Sequence, residues 1–158
     1  MSALQKYKSV TRTQAANAAL KDGRVQPKGF EFDWVEVDPL IAAFRRMVRG
    51  YEFDICELAI TTYMCSKAHN KKFTAIPVFI VRAFHHGAIL VNKNAGIKSP
   101  KDLEGKRVGV NRGYTVTTGV WARGILQDEY GVDLSKVNWV LSGDEHVAEY
   151  KAPSNVVP

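Results

Sequence analysis

Apolar and polar residues alternate along the chain in patterns that predict several short strands. Lys6–Val10 predicts a first strand, and Phe30–Val37 places aromatic residues between acidic ones, as in a half-buried strand. Further short apolar runs that predict strands are Phe53–Leu58, Phe73–Val81, Gly87–Val91, Arg107–Val110 and Val137–Leu141. No internal repeat is present in the sequence.

Helical patterns lie between these runs. Asp38 as cap, Pro39 in the first turn and Gly50 at the end frame the clearest helix, with an apolar stripe of Leu40, Phe44, Met47 and Val48. The other predicted helical segments are Gln14–Lys21 ending before Gly23, a brief helix capped by Thr61 or Thr62 and ending near Ala68, a turn over Ser99–Leu103, and Thr115–Tyr130 ending at Gly131. Strands that alternate with helices indicate an α/β fold around a mostly parallel sheet.

Polar residues follow the predicted strands at their carboxyl ends, where α/β sheets bind ligands. These residues are Thr11, Arg12, Glu57, Thr61, Thr62, Arg82, His85, His86, Asn111, Arg112, Tyr114, Thr115 and the run Ser142-Gly-Asp-Glu-His146. They are the residues among which a functional site is sought.

Composition places the chain among ordinary globular proteins. It has 158 residues, of which 46% are apolar and 24% charged, so it is expected to fold around a core. No stretch approaches the roughly 20 apolar residues of a membrane span, and the start carries no apolar block typical of a signal peptide. We therefore expect a cytoplasmic protein without membrane contact.

The positive charge of the chain is more typical of a solvated surface than of a nucleic-acid-binding protein. Lys and Arg number 22 against 16 Asp and Glu, a net charge of +6, but the basic residues are scattered among apolar ones. Such scattering is typical of a solvated surface, and surplus positive charge equally suits a small anion. Nucleic-acid binding is not expected.

Asn111–Thr118 is a polar segment with one glycine between a predicted strand and a predicted helix. Free backbone N–H groups and hydroxyls at a helix start suit a carboxylate or phosphate. The segment lacks the P-loop lysine and the three-glycine dinucleotide fingerprint. The alternative is that Thr115 or Thr117 only caps the helix.

Arg82, His85 and His86 form the densest group of titratable residues. A guanidinium can hold a carboxylate with two hydrogen bonds, and an imidazole can transfer a proton. Adjacent residues of a strand face opposite ways, so one histidine is expected at a given crevice, and either could instead face solvent. Glu57 follows Cys56 in an apolar context that favours general acid chemistry, although an ordinary ion pair is the alternative.

The sequence offers little support for a metal or a nucleophile. Glu57, one of the histidines His85 and His86, and His146 could combine into a metal site, but no ligand pair has a helical spacing such as HExxH, so none is expected. Cys56 and Cys65 are interpreted as buried thiols, because no CxxC spacing is present. No serine lies in a G-x-S-x-G turn.

Two sets of motifs resemble known families. The segment Ser99–Val110 resembles the entrance to the second lobe of type II periplasmic-binding-protein folds, which include solute receptors and thiamine-precursor synthesis proteins. A second set resembles the 4,5-dihydroxyphthalate decarboxylase family and comprises Phe53–Leu58, Ala75–Phe79, Arg82–Phe84 with His86, Val120–Leu126 and Glu129–Gly131. The similarity extends from about Leu20 to Gly143.

The resemblance implies a periplasmic-binding-protein-like type II fold with two lobes, mostly parallel sheets and a hinge. We assign residues 1–92 to the first lobe and residues 93–158 to the start of the second. Relatives in this family are roughly twice as long, and their chain returns to complete the first lobe. The chain is therefore interpreted as an N-terminal half, from which little activity, self-association and exposed strand edges are expected.

The resemblance also implies a substrate, the dihydroxylated benzene dicarboxylate 4,5-dihydroxyphthalate, which loses carbon dioxide to give protocatechuate in phthalate breakdown. Protonation of the ring carbon needs no organic cofactor, because the para hydroxyl stabilises the cation. We expect Arg82 and Arg112 to anchor carboxylates, and His86 to donate the proton with help from Glu57. Tyr114 and Thr115 are expected to orient the ring hydroxyls. His85 is the second catalytic candidate, and the remaining substrate-binding candidates are Asn111, Thr61 and Arg12. The alternative is a non-catalytic solute-binding protein, and homo-oligomerisation stays open.

Overall fold

The computed structural model describes residues 3–158, and the chain divides into two compact units. The first unit comprises the described part of Met1–Leu58 together with Thr74–Ile80, and the second comprises Ala59–Phe73 together with Val81–Pro158. Each unit contains one three-stranded sheet in which every neighbouring pair is parallel. The expected α/β fold with parallel sheets is confirmed, while the lobe boundary at residue 92 stays a prediction.

The sheet of the first unit has the order β2-β1-β3. Its strands are β1 (Gln5–Val10), β2 (Phe30–Trp34) and β3 (Ile55–Cys56). Ser9 of β1 lies opposite Trp34 on one side and Ile55 on the other. All three strands were predicted, but β2 and β3 are shorter than their apolar runs.

The helix α2 (Ile41–Gly50) supplies the apolar face of the first unit. Its stripe is buried as predicted, with Phe44 9%, Met47 8% and Val48 0% exposed. The predicted cap is wrong, because Leu40 precedes the first helical residue and Asp38 lies two positions further upstream. Tyr51 ends the helix in the left-handed region, at φ 50°, and its N–H donates to the Met47 carbonyl at 2.9 Å.

The helix predicted over Gln14–Lys21 is reduced to α1 (Ala18–Lys21). The Asn17 side chain accepts a hydrogen bond from the Gln14 N–H at 2.7 Å and donates to the Arg12 carbonyl at 2.9 Å. An asparagine that bonds to nearby backbone in this way competes with helical hydrogen bonds, so the first turns stay irregular.

The sheet of the second unit has the order β4-β5-β6. Its strands are β4 (Arg107–Val110), β5 (Asn138–Leu141) and β6 (Val156–Val157), and its helices are α3 (Ile60–Ala68) and α4 (Thr117–Asp128). A core of six buried residues packs within this unit: Leu103, Val110, Leu126, Val132, Val137 and Trp139. The strands β4 and β5 and the 3-10 turn Pro100–Leu103 were predicted, whereas β6 was not.

The predicted threonine caps are wrong in the second unit. Ala59 precedes α3, so Thr61 and Thr62 lie inside its first turn. Val116 precedes α4, so neither Thr115 nor Thr117 occupies the capping position. The hydroxyls of these threonines are therefore available for other contacts.

The strands predicted over Phe73–Val81 and Gly87–Val91 are not formed. The second run instead begins with a 3-10 turn, His86–Ala88. A strand needs a neighbour for its backbone groups. In residues 3–158 no strand pairs with this segment, and side chains such as Phe84 and Leu90 stay 93% and 89% exposed. None of the helices described here has both the length and the apolar character to span a membrane.

Candidate functional site

Two loops of the second unit meet at the carboxyl edge of its sheet. Val110 at the end of β4 lies opposite Leu141 at the end of β5, so the segments after both strands emerge side by side. The Arg112 N–H donates to the Ser142 hydroxyl at 2.8 Å, and Arg112 lies in the left-handed region at φ 69°. A non-glycine residue in that region is uncommon and is typical of tightly held loops at functional sites.

The loop after β4 holds the carboxylate of Glu145, which follows β5. The backbone N–H groups of Tyr114 and Thr115 donate to Glu145, the latter at 3.1 Å, and the Thr115 hydroxyl donates to the same carboxylate. A Cβ at Gly113 would lie 2.7 Å from the carboxyl carbon of Glu145, so this approach requires glycine. The segment predicted to bind an anion thus binds an anion that the chain itself supplies.

A buried arginine lies beneath this loop. Arg123 of α4 is 6% exposed, and its guanidinium lies 3.6 Å from the ring centroid of Tyr114. One terminal nitrogen, Nη2, donates to the Tyr114 carbonyl, while Nη1 is buried without a hydrogen-bond partner among residues 3–158. Burial lowers the pKa of Arg123. Arg123 was not predicted from the sequence, in which its signal was a charge one turn before the buried Leu126.

The helix α3 contributes two hydroxyls to the same region. The Thr61 hydroxyl donates to the Thr115 carbonyl at 2.8 Å, while its role in substrate binding stays a prediction. The Thr62 hydroxyl lies 2.6 Å from Nδ1 of His146, and both side chains are buried, at 0% and 1% exposure. From the sequence, His146 was considered only as a possible metal ligand. In the structure it connects the loop after β5 to α3.

Cys65 and Tyr150 complete the surroundings of Glu145. Burial raises the pKa of both groups, and the negative charge of Glu145 raises each further. Glu145 and Tyr150 also line a cleft of about 480 Å³ at the ends of β5 and β6. The site therefore combines a carboxylate-binding loop, a buried cation and an adjoining cleft.

Arg82, His85 and His86 lie elsewhere in the second unit. The His85 ring is stacked on Trp121, 6.2 Å away with a 5° angle between the rings. His86 places Nε2 3.1 Å from a carboxylate oxygen of Glu129, and the Arg82 side chain is exposed. The prediction that the two histidines face opposite sides of a strand is wrong, because His86 begins a 3-10 turn.

The loop and His86 lie at opposite ends of α4. Thr115 precedes the helix, whereas Glu129, the partner of His86, follows its last residue. Twelve helical residues span about 18 Å at 1.5 Å per residue. The structure therefore brings together Arg112, Tyr114, Thr115 and Thr61, and leaves His86 apart from them. Asn111 directly follows β4 and is exposed.

Glu57 and Arg12 belong to the first unit, at the carboxyl ends of β3 and β1. The Glu57 carboxylate accepts hydrogen bonds from the Thr11 hydroxyl at 2.6 Å and from the Arg12 N–H at 3.1 Å. Arg12 thus contributes its backbone to this contact. Burial, followed by the charge of Glu57, raises the pKa of Cys56 to about 12. Both cysteines are free, and both are half-buried where buried thiols were predicted.

Metal-ligating side chains are dispersed in the part of the chain that the structure describes. No three His, Cys, Asp or Glu residues between 3 and 158 lie close enough to hold a metal ion. Glu57 lies in the first unit and His85, His86 and His146 lie in the second, where His146 contacts Thr62.

Most of the sequence matches a known family. Residues 54–153 match the sequence model described as NMT1/THI5 like, and the chain belongs to that family. It is also similar to two proteins named 4,5-dihydroxyphthalate decarboxylase. The one from Comamonas testosteroni is 42% identical over 127 residues, covering 80% of this chain and 38% of the relative. The one from Pseudomonas putida is 37% identical over 144 residues, covering 87% of this chain and 55% of the relative.

These matches confirm the resemblance inferred from the motifs and agree with a periplasmic-binding-protein-like α/β fold. The chain spans between about two fifths and just over half of the length of the two relatives. Activity and substrate are accordingly matters for proposal.

Proposed function

We propose that the protein acts in the decarboxylation of a dihydroxylated aromatic dicarboxylate, 4,5-dihydroxyphthalate, to protocatechuate in phthalate catabolism. The observation that carries the proposal is the loop that presents two N–H groups and a hydroxyl to a carboxylate. The names of the two similar proteins supply the identity of the substrate. A small aromatic carboxylate suits a loop with these donors and a nearby guanidinium.

Amino-acid side chains can supply the chemistry that this reaction needs. A proton is added to the ring carbon that bears the carboxylate, and the hydroxyl para to that carbon stabilises the resulting cation. The carbon–carbon bond then breaks, carbon dioxide leaves, and the bonding electron pair restores the aromatic ring. The protein needs to anchor the carboxylates, orient the ring and deliver one proton.

Specific residues are proposed for each task. Arg112 and Arg82 anchor carboxylates, and the loop donors Tyr114 and Thr115 orient the substrate. The Thr61 hydroxyl holds Thr115 in place by donating to the Thr115 carbonyl. Asn111 and Arg12 are further binding candidates. His86 is proposed as the proton donor, His85 as the second candidate and Glu57 as an assisting acid.

A direct assay separates this function from the runner-up. Incubation with 4,5-dihydroxyphthalate is expected to release carbon dioxide and form protocatechuate. Phthalate, which lacks the hydroxyls, is the matched control and is expected to bind without reacting. Thermal stabilisation by both compounds without turnover would instead indicate a carboxylate-binding protein. That alternative is favoured by the placement of His86 at the far end of α4 from the loop.

The proton donor is tested by a pair of histidine variants. His86→Gln is expected to lower turnover about 100-fold or more with little change in substrate affinity, because general acid catalysis contributes roughly 10²–10⁴-fold. His85→Gln is the matched control and is expected to keep most activity, since its ring is stacked on Trp121. Equal losses in both variants, or none in His86→Gln, would reject the assignment of His86.

A further inference from the structure

A cavity of about 280 Å³ lies at the C-terminal end of α4, within the second unit. Ile125 and Leu126 of the helix line it, and so does Leu103 of the 3-10 turn. Leu103 and Leu126 are 8% and 3% exposed and belong to the core, against which the lining residues Ile89 and Ile97 also pack. The cavity therefore adjoins the hydrophobic core of the unit.

The size and the lining of this cavity suit a single aromatic ring. Cavities of about 150 Å³ that are lined by leucine, isoleucine and phenylalanine bind benzene in other proteins. The larger volume here leaves room for one ring with a small substituent. A ring that enters such a cavity leaves water and gains contacts with the aliphatic side chains.

The charged groups at the cavity are balanced. The two basic side chains that line it, His86 and Lys98, each lie beside a carboxylate. Nε2 of His86 lies 3.1 and 3.2 Å from the two carboxylate oxygens of Glu129. The Asp102 carboxylate accepts a hydrogen bond from the Lys98 N–H at 2.8 Å. Backbone hydrogen bonds from Lys98 and Ser99 lower the pKa of Asp102, and the charge of Lys98 lowers it further. An uncharged ligand matches this balance better than an anion does.

A hydroxyl group on the ring suits the polar side chains at the cavity. His86 and Tyr130 both line it. An imidazole nitrogen donates or accepts according to its protonation, and a tyrosine hydroxyl does both. A ligand hydroxyl can pair with either side chain in each of these states. A carboxylate only accepts, and it would bring a second negative charge close to Glu129.

We propose that this cavity is a binding site for a small uncharged phenol, with its ring against Ile97, Ile125 and Leu126 and its hydroxyl at His86 and Tyr130. The inference goes beyond the proposed function, because the site lies at the other end of α4 from the loop after β4. The His86 side chain is 50% exposed, so one part of its ring can line the cavity while another meets solvent.

Binding is measured on the whole chain by titration with phenol, followed in the amide signals of an NMR spectrum and by thermal unfolding. Phenol is expected to shift the signals of Ile97 and Leu126 in a saturable way, to leave that of Gly113 in place, and to raise the unfolding temperature. Benzoate carries the same ring with a negative charge. It is expected to bind at least about tenfold more weakly than phenol, because its carboxylate meets that of Glu129.

A variant that fills the cavity tests its position. Val91 lines the cavity and is 49% exposed, so the folded chain can accept a larger side chain there. Val91→Phe is expected to weaken phenol binding at least about tenfold, because the added ring occupies the space of the ligand. Val81→Phe is the matched control, since Val81 is 59% exposed in the same unit and lies outside the lining. Its effect is expected to stay below about twofold. Should Val91→Phe fail to fold, the amide shifts of the natural sequence still locate the site.

A second pair of variants tests the balance of charge. Glu129→Gln removes the carboxylate beside His86 and is expected to strengthen benzoate binding about threefold or more, with phenol binding changed less than about twofold. Asp128→Asn removes the same charge from the preceding residue, whose carboxylate accepts from the Gln127 amide at 3.3 Å. This control is expected to change neither affinity.

Each outcome decides the question. Phenol shifts that do not saturate, unchanged phenol affinity in a folded Val91→Phe variant, or equal affinity for phenol and benzoate would overturn the proposal. An unfolding temperature that follows the protein concentration and not the phenol concentration would show that a second copy of the chain covers the cavity, which also overturns it. These measurements involve no turnover. Failure to decarboxylate 4,5-dihydroxyphthalate would therefore reject the proposed function alone, and failure to bind phenol would reject this inference alone.

Discussion

At the scale of single residues, Gly113 shows how a missing side chain shapes a site. A Cβ there would lie 2.7 Å from both the carboxyl carbon and one oxygen of Glu145, and 2.9 Å from the Asp144 carbonyl oxygen. These distances are well inside van der Waals contact. The glycine therefore serves close approach of a carboxylate and a backbone segment.

Gly113→Ala is expected to destabilise the folded chain by about 1–3 kcal/mol, because the added methyl group must push Glu145 and the loop apart. Urea unfolding followed by circular dichroism measures the change. Gly124→Ala is the control, since nothing lies within 4 Å of its Cβ position inside α4. There, alanine is expected to be neutral or to stabilise by up to about 1 kcal/mol. Equal effects at both positions would contradict the close approach.

The two thiols are expected to react slowly in the folded protein. Burial raises the pKa of Cys56 to about 12 and also raises that of Cys65. Only the thiolate is nucleophilic, so at pH 8 only a very small fraction of Cys56 is in the reactive form. Ellman's reagent at pH 8 should label the denatured chain promptly and the native chain far more slowly. Prompt labelling of a native Cys65→Ser variant would show that Cys56 is accessible and ionised.

At the scale of elements, a charge cluster connects α2 to β1. Glu52 follows α2 and accepts hydrogen bonds from Arg46 of the helix at 2.6 Å and from Lys8 of the strand at 3.1 Å. Both cations lie near the ring of Phe53, at 4.9 and 5.2 Å from its centroid. These hydrogen bonds, first that of Arg46 and then that of Lys8, lower the pKa of Glu52 to about 2.

The first unit should lose this stabilisation in acid. The folded pKa of Glu52 lies below its ordinary value of 4.5, so the contribution is complete above about pH 4.5 and disappears as the pH falls toward about 2. Glu52→Gln is expected to flatten the dependence of unfolding free energy on pH across that window. The effect should be modest, because the pair is solvent-exposed.

Glu31→Gln is the control for this titration. Glu31 forms an exposed ion pair with Lys6 at 3.3 Å, and its replacement removes the same charge from the same sheet. It is expected to leave the slope between pH 2 and 4.5 nearly unchanged. A slope that changes equally in both variants would assign the acid sensitivity to net charge.

At the scale of the whole molecule, one segment leaves large apolar side chains in water. Ile76, Phe79, Phe84 and Leu90 are 66%, 71%, 93% and 89% exposed. They belong to the stretch between residues 73 and 91, which forms no strand. Large exposed apolar side chains in such number are typical of chains that associate.

The chain is expected to self-associate as its concentration rises, which light scattering and analytical ultracentrifugation measure. Phe84→Ser with Leu90→Ser should shift the equilibrium toward monomer, because both substitutions remove apolar surface. Met64→Ser is the matched control, since Met64 is 63% exposed on α3 and lies outside this stretch. A chain that stays monomeric at every concentration would contradict this expectation and show that the exposed segment does not bind a second copy of the chain.

Local patterns in the sequence determined much of the secondary structure. The hydrophobic pattern of a few neighbouring residues shows which face of an element is buried. That pattern predicted the apolar stripe of α2, the alternation of β2 and the short apolar strands β4 and β5. The polar segment after β4 was predicted to bind an anion for the same local reason. Phe73–Val81 has the apolar and β-branched pattern of a strand. It forms no strand, because a strand needs a neighbouring strand for its backbone hydrogen bonds.

Only the tertiary structure decided which side chains contact the loop after β4 and the helix α3. Glu145 lies about 30 positions after the N–H groups that hold it, and His146 lies 84 positions after Thr62. The periodicity of a sequence shows which residues are buried but not which distant residues they contact. Neither the Glu145 contact nor the His146 contact could therefore be inferred from spacing. Parallel pairing of β4 with β5 brings their following loops together, and that juxtaposition places the Glu145 carboxylate against the N–H groups of Tyr114 and Thr115.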